Sequence, residues 1–126
     1  MSIDGTGERI AGSIYKEVAV ENIRIFSRRY FKSEPFGLGS ASWNDTISFA
    51  ESLNLRQRAA LLEIIRQVSI DAASTVFSFV EGCGTLPGFS ADFALTYDGQ
   101  DIGQDIQTHF LNVDEASRQE GADGRA

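Results

Sequence analysis

His109 is the single imidazole in a chain of 126 residues, so any Ser–His or Cys–His catalytic pair would have to be built on it. It stands beside Phe110 in a segment whose apolar residues recur at helical spacing, and a histidine on the rim of a helix face is the commoner meaning of such a placement. Asp71 is a second candidate, flanked by Ile70 and Ala72 inside an apolar helical run, where a buried carboxylate requires a partner. Arg66, Ser74, Thr75 or an arginine of the first helix would supply one, making Asp71 a structural contact, an interface contact or an active-site acid. Tyr97 would complete a polar trio with Asp71 and His109 if a pocket lies between a long helix and a following hairpin.

The other reactive side chains fit no catalytic pattern. Asp92, Asp98, Asp101 and Asp105 bring carboxylates into a short glycine-containing stretch, but their spacing is not that of a calcium loop, and turn formation explains Asp98 and Asp101. Cys83 lies between Gly82 and Gly84 at the carboxyl end of a predicted helix, where the helix dipole raises a thiol pKa. Gly5, Gly7 and Gly12 match neither a phosphate loop nor a dinucleotide fingerprint. Arg24, Arg28 and Arg29, with Lys16 and Lys32, fit solvated helix positions, the arginines near the carboxyl end, or a basic face for an acidic partner or a nucleic acid, and with a net charge of −7 nonspecific nucleic-acid binding is disfavoured. The sequence therefore nominates no catalytic residue, no metal ligand and no cofactor.

These residues must be positioned by a fold of the α+β class, predominantly α-helical, with a long central helix, flanking helices and one C-terminal β-hairpin. Ala11, Tyr15, Val18, Ala19, Phe26 and Tyr30 mark a first helix over Glu8–Phe31, with Val18, Val20, Ile23 and Ile25 as the place for a kink or a strand. Pro35, Gly37 and Gly39 predict a loop over Ser33–Ser42, and a short helix follows over Trp43–Ser52. Asn54 with Gln57 announces the long helix, which carries Leu61, Ile65, Val68, Ala72, Val76 and Phe79 as a stripe and stops at Gly82. Leu62, Ile70, Ala73, Phe77 and Val80 make it apolar on a further side, as expected of a central helix or one at a subunit interface. Asp98-Gly99 predicts a tight hairpin turn, and Ile102, Ile106, Phe110, Leu111 and Val113 a last short helix.

One globular domain over residues 1–113 and a disordered polar tail over 114–126 are expected from length and composition. The acidic start and the lack of a long apolar run predict no secretory signal and no membrane span, and a lone cysteine fits a reducing cytoplasm.

The stretch Leu55-Arg56-Gln57-Arg58-Ala59-Ala60-Leu61-Leu62, with Gln67-Val68-Ser69-Ile70-Asp71, Asp92-Phe93-Ala94-Leu95-Thr96-Tyr97-Asp98-Gly99, Asp105-Ile106 and Phe110-Leu111, resembles small bacterial proteins of an uncharacterised family. The resemblance implies bacterial origin and a helix–hairpin–helix arrangement, and it contains no catalytic motif. The resemblance supplies no function; the lack of a catalytic constellation and the apolar breadth of the long helix lead to the expectation of a non-enzymatic interaction protein of accessory or immunity type, partnered by another protein or by itself as a homodimer. Apolar residues stranded in loops at Phe36, Leu38, Leu86 and Phe89 motivate it. Phe36 and Trp43 join Asp71, Tyr97 and His109 as candidate pocket or interface residues. The alternative is a small enzyme or small-molecule binder with its pocket at Asp71, Tyr97 and His109.

Overall fold

The computed structural model describes residues 5–31 and 41–123, with the backbone alone at 41–43 and 121–123. Phe36 and residues 33–40 of the loop expected around it lie outside the described residues, as does the Trp43 side chain, while Ala41 and Ser42, also expected in that loop, are already helical. The architecture is predominantly helical with a two-stranded antiparallel hairpin towards the C-terminus.

The first helical stretch runs as α1 (Thr6–Lys16), a π-helical turn at Glu17–Glu21 and α2 (Asn22–Phe31). The π turn falls where the β-branched residues marked a kink, and no strand forms. Its cause can be read in the buried positions Gly7, Ala11, Tyr15 and Ala19, which are spaced by four. On a regular α-helix that spacing drifts around the axis, and a wider turn brings the drifting stripe back towards its neighbours.

Helix α3 (Ala41–Ser52) buries Ala50. Helix α4 (Leu55–Glu81) begins at a capping box in which the Gln57 N–H donates to Asn54 Oδ1 at 2.8 Å and the Asn54 N–H to Gln57 Oε1 at 3.0 Å. It ends at Gly82, whose φ of 87° is the left-handed geometry that closes a helix without a Cβ clash. At about 1.5 Å per residue, α4 is about 40 Å long.

The hairpin pairs β1 (Thr96–Tyr97) with β2 (Gln100–Asp101). Asp98 and Gly99 both have positive φ, 51° and 76°, the backbone of the tight turn that an Asp-Gly pair favours. Strands this short need support, and Ile102 is buried at their end while Leu95 packs on the core.

Helix α5 (Ile106–Asp123) corrects the expected tail: residues from Asp114 continue the helix to Asp123, and Asp114 is buried. The polar composition concealed that Phe110, Val113, Asp114, Ser117 and Arg118 share one side at spacings of three and four. The first turn of α5 is capped from outside its own sequence, because the Gln107 N–H donates to Glu81 Oε1 at 2.6 Å.

The core joins α1, the π turn, α4 and α5 through Ala11, Tyr15, Ala19, Ile70, Phe77, Ile106 and Phe110. Phe110 meets Tyr15 and Phe77 edge-on at centroid separations of 5.5 and 5.3 Å, the arrangement that aromatic quadrupoles favour. Pairing of Tyr15 with Arg66 and of Phe31 with Arg58 shows that the first helical stretch runs antiparallel to α4. Among the described residues no helix is long and apolar enough to cross a membrane.

Candidate functional site

The three polar residues expected to share a pocket occupy different surroundings. Asp71 is exposed, so the buried carboxylate anticipated from its neighbours is not found; its Oδ1 accepts from Gln67 Nε2 at 2.9 Å, one turn earlier. Tyr97 is exposed on the hairpin. His109 lines a cavity of about 200 Å³ with Glu8, Asp101, Gln104 and Asp105, whose wall includes neither Asp71 nor Tyr97. Asp101 already uses Oδ1 to accept the Gly103 N–H at 2.9 Å. Among the described residues no group of three or more His, Cys, Asp or Glu side chains is arranged to hold a metal ion. Cys83 is exposed, and its hydrogen bond to Glu81 Oε2 at 3.4 Å pushes the thiol pKa up, which disfavours the thiolate.

A buried polar clasp does exist, built from residues the sequence had not joined. The Tyr15 hydroxyl of α1 donates to Asp114 Oδ1 of α5 at 2.8 Å and accepts from Arg66 of α4. Arg66 also reaches Asp114 Oδ1 at 3.4 Å, and Arg118 Nε donates to Asp114 Oδ2 at 2.9 Å. Arg118 extends the network to Gln67 and to Glu63, the latter at 3.6 Å. Burial, then the bond to Asp114, raises the Tyr15 pKa, and the Asp114 bond raises that of Arg118. The hydroxyl and carboxylate are satisfied by fixed neighbours, so this is a device that locks three helices together and leaves no group free to act on a substrate.

The surface feature that stands apart is the outer side of α4. The inner side presents Ile70, Ala73, Ser74 and Phe77 to α1 and α5. The opposite side carries Ile64, Val68, Ala72 and Val76, spaced by four, and Ile64, Val68 and Val76 are 61%, 61% and 59% exposed. Of the stripe read from the sequence, Val68, Ala72 and Val76 are exposed while Leu61, Ile65 and Phe79 are half-buried, and the further apolar side supplies the core through Ile70 and Phe77. Both satisfy a helical period, which gives the spacing of a face and not the neighbour it meets.

At its N-terminal end the outer side runs into an apolar groove of about 210 Å³ lined by Tyr30, Thr46, Phe49, Ala50, Leu61 and Ile65. At its C-terminal end, Phe79 borders a loop that exposes Phe89 and Phe93. Along α2, Arg24 pairs with Glu21 at 3.7 Å and the Arg29 guanidinium lies 5.5 Å from the Phe26 ring centre, so these cations have intramolecular contacts.

Compared with known protein families, curated proteins and solved structures, the chain matches none.

Proposed function

We propose that the chain is a non-enzymatic protein-interaction module of the accessory kind, working through the outer side of α4. The observation that carries this reading is the row Ile64, Val68, Ala72 and Val76 on a helix whose opposite side already supplies the core. Helix formation does not explain the row, since isoleucine and valine are poorer helix formers than the lysine, glutamate or arginine that a solvated position accommodates. Burial in a complex does: each of these side chains would remove apolar surface from water at about 25 cal/mol per Å². Nothing comparable favours an enzyme, because Asp71 and Tyr97 are solvated and do not line the cavity that holds His109.

An environment-sensitive apolar dye tests the reading, with light scattering alongside. The uncovered face is expected to bind dye when the protein is dilute and uncomplexed, and Val68→Glu is expected to abolish that binding while circular dichroism stays unchanged. A wild-type protein that remains monomeric and binds no dye at any concentration would refute it.

A further inference from the structure

We infer that the outer edge of β1 takes up an extended, lysine- or arginine-bearing segment of another protein as a third strand. This surface is separate from the outer side of α4, so the two readings stand or fall independently.

The ladder leaves the edge open. Tyr97 and Gln100 flank a two-residue turn and form its hydrogen-bonded pair, and the Ile102 N–H donates to Leu95 O at 2.9 Å in the next such pair. Thr96 and Asp101, between them, exchange no bonds, so the N–H and C=O of Thr96 point away from β2. Residues 91–94 lead into β1, are exposed, and make no backbone hydrogen bond among the described residues. An extended segment laid alongside would find there the main-chain donors and acceptors that give strand addition its affinity. Its side chains would meet apolar surface, because Leu95 packs on the core while Phe93 and Tyr97, two positions to either side, are exposed.

Charge selects the occupant. Between Arg66 and Arg118 the chain has no lysine or arginine, and the hairpin, the loop before it and the start of α5 all lie in that stretch. Asp92 precedes Phe93 and Asp98 follows Tyr97, which sets a carboxylate at each end of the edge. Both are exposed, and among the described residues neither enters an ion pair. Glu81 and Asp101 are not counted, since they already accept from the Gln107 and Gly103 N–H groups. A basic strand would gain two unshared carboxylates, with an arginine also able to lie on an aromatic ring. A second copy pairing through the same edge would set carboxylate against carboxylate.

The test is an amide-resolved NMR titration of the full chain at low salt with a synthetic peptide of alternating lysine and valine. Two matched peptides accompany it, one with glutamate for lysine and one methylated on every backbone nitrogen, which keeps the charge and cannot pair. The lysine peptide is expected to shift the amides of Thr96 and residues 91–94 and to loosen several-fold as salt is raised, and neither matched peptide is expected to bind. Asp92→Asn and Asp98→Asn should each weaken it by about two- to fivefold, and Val68→Glu should leave it unchanged. Thr96→Pro removes an outward donor that the ladder does not use, and should weaken it at least about fivefold with circular dichroism unchanged. No binding of the lysine peptide, or equal binding of the glutamate peptide, would overturn the inference. Equal binding of the methylated peptide would overturn strand addition whether or not Thr96→Pro folds.

Discussion

Tyr15 and Asp114 lie 99 positions apart, yet their hydrogen bond is the centre of the polar contact among α1, α4 and α5. Tyr15→Phe keeps the ring against Phe110 and removes only the hydroxyl, and is expected to cost about 1–2 kcal/mol in urea denaturation. Asp114→Ala should cost more, about 2–4 kcal/mol, because Arg66 loses a carboxylate in a site where its own side chain is only 17% exposed. The raised pKa of Tyr15 gives a signed pH dependence. Above the ordinary tyrosine value of 10.0 the unfolded chain releases the proton first, so the folded state binds more protons and stability falls until the folded pKa is passed. Denaturation midpoints taken from pH 9 upwards should therefore fall more steeply for wild type than for Tyr15→Phe. None of this was legible from residue types: a tyrosine on an apolar stripe reads as core, and an aspartate at the start of a polar run reads as surface. Asp71 failed in the other direction, since its apolar neighbours in sequence point to both sides of the helix.

At the scale of elements, signals carried by backbone geometry were legible and those dependent on tertiary neighbours were not. The Asn54–Gln57 capping box, the stop at Gly82 and the Asp98-Gly99 turn each follow from one residue's local preference, and each forms where expected. Gly82→Ala should cost about 1 kcal/mol in thermal denaturation, because alanine is strained at a φ of 87° although nothing crowds its Cβ. The length of α5 was not legible, because its second half is held by Tyr15, Arg66 and Gln67 from other helices. Ending the chain after Val113 is expected to destabilise the domain by at least about 3 kcal/mol, through loss of both Asp114 and Arg118. A dispensable tail would leave the denaturation midpoint unmoved.

For the whole molecule, the two apolar sides of α4 are the fact from which the functional reading follows. Periodicity announced both, and the fold covers one, with Ile70 and Phe77 buried while Val68 and Val76 remain solvated. A chain with 18 acidic and 11 basic side chains gains little general attraction for polyanions, so short-range apolar contact is the better source of affinity. The most direct measurement is sedimentation velocity of wild type and Val68→Glu over a wide concentration range, with an apolar dye titrated into the same samples. Wild type is predicted to bind dye while uncomplexed, and Val68→Glu to stay folded and bind none. Two monomers, equally silent to the dye at every concentration, would contradict the claim that the outer side of α4 is a contact surface.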